Sequence, residues 1–453
     1  MSEYKLTVGL EVHAELNTRT KMFCDSKNDP DEGRPNVNVC SVCMGHPGTL
    51  PVINHEAVKS VLRFGTAVQG ELADYTEFDR KNYFYPDIPK GYQISQYKYP
   101  LVKGGELGGV KLTRVHLEED TAKSSHDKGD ESLVDFNRAG VPLMELVTEP
   151  VIHDPEGAIR FAKELQLLLN YLGIAEANME KGEMRVEANI SVSKSDKMGT
   201  KVEVKNLNSF RSVERAIAYE FDRQSKLLEE GGVVVQETRG WDENKGVTFS
   251  QRKKEDSHDY RYFPDPDLPK IFIKEVTDFA EGELKRSLPE LPWEKRERLL
   301  KLGISAEHAE IYVTAPEWGK FFEDVAERLE GTPSAVVLAS NYITSELKKL
   351  VDASEFAEVI RMTSEGEISS KGAKAVLKEL SQNGGEARKI AEEHNLMQVS
   401  DENILKGWID EVLSEEDKNA PEHFLVGQVM KKSGGRANPM MLQKLLKDIV
   451  GEK

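Results

Sequence analysis

Apolar and polar residues alternate along the segment from Gly9 to Leu16. Because successive side chains of a β-strand point to opposite faces of a sheet, this alternation predicts a strand with two chemically different faces. One face is wholly apolar, and the other carries Glu11, His13 and Glu15. We therefore predict that two acids and a histidine stand side by side on the polar face of a sheet.

The same alternation recurs in three later segments, 115–120, 185–192 and 201–205. Their polar positions again combine acids, cations, histidine and amides, and they are His116, Glu118, Arg185, Glu187, Asn189, Ser191, Lys201, Glu203 and Lys205. Helical spacing is found near residues 56–69, 155–172 and 209–230. Up to about residue 290 the pattern predicts an α+β fold with a large, mostly antiparallel sheet.

A glycine-rich stretch from Gly104 to Gly109 separates two β-like runs. Glycines between two such runs favour a hairpin loop over a phosphate-binding loop. The chain contains neither a Gly-x-x-x-x-Gly-Lys-Ser/Thr stretch nor a Gly-x-Gly-x-x-Gly turn after a strand. The ordinary nucleotide-binding folds are therefore unsupported by the sequence.

After residue 292 the apolar spacing becomes helical. Apolar side chains recur at i, i+3, i+4 and i+7, as in Leu405, Trp408, Ile409 and Val412 and again in Leu442, Leu445, Leu446 and Ile449. Such stripes face a core, so the C-terminal third is predicted to be all-helical. We predict three domains, at residues 1–292, 293–405 and 406–453.

Composition narrows the class of protein. A chain of 453 residues exceeds a single ordinary core, which agrees with several domains, and no apolar run approaches the length of a membrane span. The first residues lack a basic and apolar leader, so we predict a cytoplasmic location. The formal charge of −18 excludes sequence-independent coating of nucleic acid, so any contact with RNA must be local.

Two interpretations fit the polar strand faces. A sheet with one face on its core and the other in water would explain any single segment. However, a solvated face usually mixes Lys, Thr and Glu, whereas here His, Glu, Arg and Asn recur together. Carboxylate oxygens are the ligands that Mg²⁺ prefers, and Mg²⁺ often bridges to phosphates. The alternative is therefore an active face that handles Mg²⁺ and phosphate.

The run from Phe78 to Asp87 contains two cations, Arg80 and Lys81, and three consecutive aromatic residues directly before Pro86. Cations and aromatic rings at this density can hold a phosphate or a nucleobase. A solvated loop with aromatic anchors is the other interpretation.

The three cysteines, Cys24, Cys40 and Cys43, fall within one short stretch. The spacing Cys40-x-x-Cys43 is that of half a zinc knuckle, with His46 or Asp25 available as a fourth ligand. Three thiolates alone are an incomplete structural zinc site. Reduced, partly buried cysteines are the alternative.

These motifs resemble the B subunits of the aspartyl/glutamyl-tRNA amidotransferase family, and the resemblance runs nearly from end to end of the chain. The segments that carry it are Val8–His13, Pro47–Pro51, Phe78–Asp87, His116–Asp120, Val134–Gly140, Glu203–Phe210 and Asp259–Pro264. The resemblance implies a catalytic cradle domain followed by a helical domain and a small tail domain, the last two similar to the YqeY protein.

The resemblance also implies a carbon–nitrogen ligase that takes its amide nitrogen from glutamine. ATP phosphorylates the side-chain carboxylate of Glu-tRNA(Gln), and often of Asp-tRNA(Asn), and ammonia then displaces the phosphate. The implied partners are the glutaminase, or A, subunit, which supplies the ammonia, and the small C subunit, which completes a heterotrimer. Whether Asp-tRNA(Asn) is a substrate depends on which synthetases the host contains.

Transferred onto this sequence, the family's Mg²⁺ ligands fall on Glu11, His13, Glu118 and Glu145, which we predict to be the catalytic cluster. A further acid, often Asp in the family, is Glu187 here. We expect Arg80, Lys81 and Lys205 to bind the nucleotide. Many relatives carry a Cys-x-Cys before the Cys-x-x-Cys, but here Cys24 is followed by Asp25 and Ser26.

A function of a different class is a non-catalytic scaffold that recognises tRNA and whose acidic face is simply solvated. A synthetase is disfavoured because neither a His-Ile-Gly-His-like nor a Lys-Met-Ser-Lys-Ser-like motif is found. We also predict that the tail domain, including the basic turn Lys431–Arg436, grips the body of the tRNA. A solvated turn that caps a helix is the alternative for that segment.

Overall fold

A computed structural model describes residues 4–128, 131–253, 260–415 and 420–451. The chain divides into two compact units, residues 1–291 and 292–453. Asp259, the first residue of one of the motifs above, lies outside the described residues.

In the residues that the structure describes, the N-terminal unit combines strands with four α-helices, three of which the sequence predicts. Its described strands are β1 (Lys5–Glu15), β2 (Glu71–Leu72), β3 (Tyr75–Thr76), β4 (Asp79–Asn82), β5 (Tyr92–Ser95), β6 (Val102–Lys103), β7 (Glu106–Leu107), β8 (Val110–Glu119), β9 (Lys123–Lys128), β10 (Glu131–Asp135), β11 (Pro142–Thr148), β12 (Met184–Ser193), β13 (Val202–Leu207), β14 (Glu237–Asp242), β15 (Val247–Lys253), β16 (Phe263–Pro264) and β17 (Ile271–Phe272). Its helices are α1 (His55–Ala67), α2 (Pro155–Tyr171), α3 (Phe210–Glu229) and α4 (Glu281–Arg286).

One large sheet organises this unit, in the order β15-β14-β13-β12-β1-β11-β8-β6-β2, with β7 paired to β8. All of its pairings are antiparallel except the one between β13 and β14. That exception follows from the connection, because parallel neighbours need a crossover and α3 lies between these two strands. The predicted α+β fold with a mostly antiparallel sheet is confirmed.

The sheet buries its apolar face, as alternation requires. Leu10, Ala188 and Ile190 are fully buried, and Val12 is nearly so. Helix α1 contacts β8, and α3 contacts β12, β13 and β15. The polar residues of β1, β8, β11, β12 and β13 are thereby left together on the opposite face.

The three helices predicted in this unit are present within one or two residues of the expected bounds. Each begins at a side chain that accepts hydrogen bonds from first-turn N–H groups, namely Asn54, Asp154 and Ser209. Such caps satisfy donors that the helix cannot pair internally. The predicted hairpin is also confirmed, since β7 and β8 are joined by Gly108 (φ 57°) and Gly109 (φ 81°), a backbone conformation that glycine adopts without strain.

The C-terminal unit is built from helices, in agreement with the prediction. They are α5 (Pro292–Lys301), α6 (Ala306–Thr314), α7 (Pro316–Arg328), α8 (Pro333–Glu346), α9 (Ala353–Ser364), α10 (Ser370–Asn383), α11 (Ala387–Glu393), α12 (Glu402–Glu415), α13 (Glu422–Lys432) and α14 (Pro439–Gly451). None of the helices in the described ranges is long and apolar enough to span a membrane.

The last three helices share a core of their own, formed by the two apolar stripes read from the sequence together with residues of α13. Leu405, Ile409 and Leu442 are fully buried there, and Trp408 and Ile449 pack against its edge. Helix α12 begins at Glu402, so the boundary expected at 405 falls inside its first turn. The three-domain division stays a prediction.

Candidate active site

The polar faces of five adjacent strands meet in the middle of the large sheet. In the antiparallel register His13 of β1 lies opposite Glu145 of β11, and Glu145 lies opposite His116 of β8. On the other side of β1, Glu11 lies opposite Glu187 of β12. Residues directly opposite each other have their Cβ atoms about 5 Å apart, so strand pairing alone brings these side chains together.

The side chains on the β11 side of this cluster touch one another. His13 Nε2 is 3.4 Å from Glu145 Oε2 and 3.6 Å from Glu118 Oε1. His116 Nε2 is 3.3 Å from the same Glu145 oxygen. Ser95 of β5 donates a hydrogen bond to Glu118 Oε2 at 3.1 Å. Glu118 and Glu145 are both buried, although each is an acid.

Three sets of potential metal ligands overlap along the cluster. In each set the ligand atoms lie within 4.8 Å of one another, and the sets are Glu11, His13 and Glu145; His116, Glu118 and Glu145; and Glu11, Glu187 and Glu203. Glu11 and Glu145 each belong to two sets. The acidic cluster, which we define as these seven residues, therefore extends over more than one potential cation position.

The pKa values of the acidic cluster reflect an excess of carboxylates. Burial, together with the neighbouring Glu145 and Glu187, raises the pKa of Glu11 to about 7. Burial acts to lower the pKa of His13, but its hydrogen bond and Coulombic attraction to Glu145 raise that pKa to about 9. The two histidines in turn overcome the burial of Glu145 and hold its pKa well below the usual range. A group of carboxylates in this state favours a bound cation.

The residues fit a hard divalent cation. Most of the donors are carboxylate oxygens, the ligands that Mg²⁺ prefers, and two histidine nitrogens lie beside them. On the same strand face the Oδ1 atom of Asn189 is buried without a hydrogen-bond partner, which adds an oxygen ready to accept from a metal-bound water. The four side chains predicted to surround one divalent ion lie together, and their role as ligands stays a prediction.

Of the three predicted nucleotide-binding cations, Lys205 contacts this cluster and Lys81 lies near it. Lys205 Nζ lies 3.0 Å from Glu187 Oε2 and 3.8 Å from Glu203 Oε1. Burial acts to lower the pKa of Lys81, but its attraction to Glu118 and to nearby tyrosines raises that pKa. Both ammonium groups are therefore charged beside the acids.

Arg80 is engaged elsewhere. Its guanidinium donates to Asp265 at 2.8 Å and to Asp267 at 3.0 Å, and it stacks over the ring of Tyr92. Neighbouring residues of a strand point to opposite faces, so Arg80 and Lys81 cannot both face the cluster. The charge of Arg80 is thus already paired with two aspartates. Nucleotide binding by Arg80 stays a prediction.

A β-bulge places Lys205. Along β12 and β13, Val186 pairs with Leu207 and Ala188 with Val204, so Lys205 and Asn206 together lie opposite Glu187. Asn206 has φ 65°, the left-handed region that asparagine tolerates better than most residues. The extra residue keeps Leu207 in the core while Lys205 stays on the polar face.

The family ligand set did not include two members of the cluster. His116 was placed on the polar face by alternation, but only the pairing of β8 with β11 shows that it contacts Glu145. Glu203 accepts a hydrogen bond from Thr238 Oγ1 at 2.8 Å, and alternation had also placed it on the polar face. The alternation of polar and apolar residues predicted the polar face for both residues, but it did not predict the order of the strands in the sheet.

The three cysteine sulfurs lie together, within 4.8 Å of one another. The fully buried Lys21 places its Nζ atom 4.0 Å from Cys43 Sγ and 3.2 Å from the carbonyl oxygen of Phe136. A hydrogen bond from Cys24, which outweighs burial, lowers the pKa of the Cys43 thiol to about 4. Among the described residues this set offers three metal ligands, so a tetrahedral zinc site is incomplete and an ammonium group already lies beside the thiolate.

We therefore expect the purified chain to carry well under one equivalent of zinc and three reactive thiols. Elemental analysis of protein prepared without chelator, together with thiol titration under denaturing conditions, checks this. One full equivalent of zinc would show that His46, Asp25 or water completes the site, and it would contradict the expectation.

Buried carboxylates and histidines overlap as potential cation ligands on one sheet face, with Lys205 on that face and Lys81 on the separate strand β4. This arrangement is the one expected of a class of enzymes that bind a divalent cation and phosphate. A family model described as the GatB/GatE catalytic domain matches residues 6–277, and one described as the GatB domain matches residues 320–450.

Full-length relatives agree with these family models. The chain is 43% identical to the B subunit of the aspartyl/glutamyl-tRNA(Asn/Gln) amidotransferase of Thermoanaerobacter pseudethanolicus, over 98% of this chain and 99% of that protein. Its identity to the corresponding protein of Moorella thermoacetica is 44%, over 98% and 99%, and to that of Persephonella marina 41%, over 99% and 100%. The chain belongs to the family of aspartyl/glutamyl-tRNA(Asn/Gln) amidotransferase B subunits, which confirms the resemblance.

Proposed function

We propose that this chain is the B subunit of a tRNA-dependent amidotransferase and that the acidic cluster is its phosphorylation site. In this function ATP phosphorylates the side-chain carboxylate of Glu-tRNA(Gln), and of Asp-tRNA(Asn) where the host makes it. Ammonia then gives the amide. The observation that carries the proposal is the overlap of cation ligands through Glu11 and Glu145 on one face of the sheet. Family membership supports the substrates.

The reaction explains why such a site is needed. A carboxylate is a poor acyl donor, because attack by ammonia would have to expel oxide, whereas an acyl phosphate has a good leaving group. The γ-phosphate and the carboxylate repel each other as they approach. Mg²⁺ held by Glu11, His13, Glu118 and Glu145, with Glu187 beside them, would offset this repulsion.

The chain's own residues supply the rest. Lys81 and Lys205 are charged and face the acidic cluster, so they can hold phosphate oxygens. Ammonia is already a nucleophile, and no strong general base is required. The burial of Glu118 and Glu145 keeps bulk water away from an acyl phosphate that water would hydrolyse.

The partners follow from the same function. We propose that a glutaminase, the A subunit, supplies ammonia and that the small C subunit completes a heterotrimer, in the cytoplasm where translation takes place.

A direct test is ATP hydrolysis by the complex in the presence of Mg²⁺. We expect slow ATP hydrolysis that rises when Glu-tRNA(Gln) is added without glutamine, because each phosphorylated side chain then returns to the free carboxylate only by slow attack of water, which releases phosphate. Correctly charged Gln-tRNA(Gln) is the matched control. A complex that binds Glu-tRNA(Gln) but never consumes ATP would favour the non-catalytic scaffold.

We also propose that α12–α14 bind the body of the tRNA. Parts of the basic turn serve the helix itself: Gly435 N–H donates to Met430 O at 2.8 Å, which caps α13. Lys432 pairs with Glu415 at 2.8 Å and Glu411 at 3.1 Å. Arg436 Nε donates to Ser433 O at 3.1 Å, within the same turn. The alternative of a capping turn is thus supported for most of the segment, and any RNA contact falls mainly to Lys431.

A chain that ends at Gln398 should have a KM for Glu-tRNA(Gln) raised about tenfold, with assembly onto the glutaminase retained. This end point is chosen because Gln398 donates to Glu367 O, which ties it to the preceding helices, while α12–α14 have a separate core. Steady-state amidation at varied tRNA measures the effect. An unchanged KM would show that the tail does not recognise tRNA.

A further inference from the structure

Five tyrosine rings form a continuous row beside the acidic cluster. Consecutive centroids are 5.9 Å apart for Tyr85 and Tyr83, 6.0 Å for Tyr83 and Tyr260, 6.1 Å for Tyr260 and Tyr262, and 4.4 Å for Tyr262 and Tyr97. We call this row the tyrosine ladder. The proposed chemistry of the carboxylate does not use it.

The ladder lies next to the proposed reaction site. The Nζ atom of Lys81 is 5.2 Å from the centre of the Tyr260 ring and 5.9 Å from that of Tyr83. The same ammonium interacts electrostatically with Glu118 and Glu145. At the other end, Tyr97 follows two residues after Ser95, which donates to Glu118. A molecule on the ladder would therefore reach the acidic cluster.

The backbone under the ladder is held in place. Arg261, between two of the tyrosines, has φ 46°, a conformation that is strained for a residue with a side chain. Asn82 donates to the carbonyl oxygens of Tyr260 and Arg261, at 3.1 and 2.9 Å. Strain that neighbouring contacts maintain is common at ligand-binding positions.

The ends of the ladder are open to solvent. Tyr85 is 55% exposed, Tyr97 is 56% exposed, and the adjacent Phe84 is 88% exposed. Rings that served only to fill a core would be covered. Aromatic rings in a row, accompanied by a cation, are the surface on which successive bases of a single-stranded nucleic acid stack.

We propose that the tyrosine ladder is a stacking platform for the unpaired 3′ end of the tRNA and delivers its aminoacyl group to the acidic cluster. The proposal rests on the proposed function. A single strand is favoured over the adenine of ATP because the exposed rings, Tyr85 and Tyr97, lie at the two ends of a row of five rings, whereas one adenine stacks at one position. Lys81, which lies against two of the rings, links the ladder to the acidic cluster.

The test uses the full complex and a short single-stranded RNA that ends in C-C-A and carries no amino acid. We expect the double variant Tyr85→Ala, Tyr97→Ala to bind this RNA roughly tenfold more weakly, because stacking is lost at both ends. The matched variant Tyr85→Phe, Tyr97→Phe keeps the rings and should bind within about twofold of the wild type. Phe249→Ala, which removes an exposed ring on β15, should bind normally. Fluorescence anisotropy at one fixed salt concentration, without ATP, measures all four proteins.

Steady-state amidation gives the second readout. In the double alanine variant the KM for Glu-tRNA(Gln) should rise, with kcat at saturating tRNA and the KM for ATP near their wild-type values. Equal RNA binding by the alanine and wild-type proteins would overturn the proposal. So would a loss confined to ATP, which would assign the ladder to adenine. RNA binding needs no chemistry, so a complex that shows ladder-dependent binding but no ATP turnover would reject the proposed function alone.

Discussion

Replacing Glu145 by glutamine should lower kcat/KM for ATP-dependent amidation about 1,000-fold, with the fold retained. Glu145 belongs to two of the three overlapping ligand sets, so one substitution removes a charged oxygen ligand from both. Its contact to His13 also raises the pKa of that ring. Glutamine has nearly the same shape, so the packing of β11 between β1 and β8 should survive.

The measurement is single-turnover formation of Gln-tRNA(Gln) with ammonium chloride as nitrogen source, which makes the result independent of the glutaminase. Glu149→Gln is the matched control, because Glu149 lies just beyond the same strand and bonds to Thr113 Oγ1 at 2.7 Å. Glutaminase activity and melting temperature report assembly and folding. If Glu145→Gln keeps activity within about tenfold of the wild type, the acidic cluster is not the phosphorylation site.

Replacing Lys205 by methionine should lower kcat/KM about 100-fold, since it removes a charged donor to phosphate and leaves Glu187 and Glu203 without their cation. The loss should appear in the KM for ATP, in kcat at saturating ATP, or in both, with the KM for tRNA nearly unchanged. Initial rates measured at varied ATP distinguish a change in the KM for ATP from a change in kcat.

Substitutions at Asn206 test whether the bulge positions Lys205. Valine does not tolerate φ 65°, so Asn206→Val should shift Lys205 and reproduce part of the loss, whereas Asn206→Gly should retain activity. A purely structural role would lower the melting temperature of the valine variant without changing kinetics of the folded fraction. Activity in Asn206→Val equal to that in Asn206→Gly would show that the bulge does not position Lys205.

Alternation along the chain predicted much of this site. Glu11 and His13 share a face because strand side chains alternate, and that rule holds wherever the strand is placed. Alternation could not give the strand order. Only the insertion of β1 between β11 and β12 brings Glu11 to both Glu145 and Glu187, and the sequence contains no local signal for that choice.

Long-range pairing separates residues that local patterns could not distinguish. Arg80 and Lys81 are adjacent and were equivalent in the sequence, yet Asp265 and Asp267 hold Arg80 while Lys81 faces the acids. The proximity of the three cysteines could be predicted from the sequence, because all three lie on one short stretch. The ammonium of Lys21 beside them was not foreseen, since a fully buried lysine is rare.

The position of β1 in the middle of the sheet has a consequence during synthesis on the ribosome. Its partners β11 and β12 lie about 130–190 residues later in the chain, which at about 5–20 residues per second is a delay of roughly seven to forty seconds. For that time a strand with one fully apolar face has neither neighbour. Nascent chains of this protein should therefore depend on chaperones until β12 has emerged, and slower translation before that point should increase aggregation.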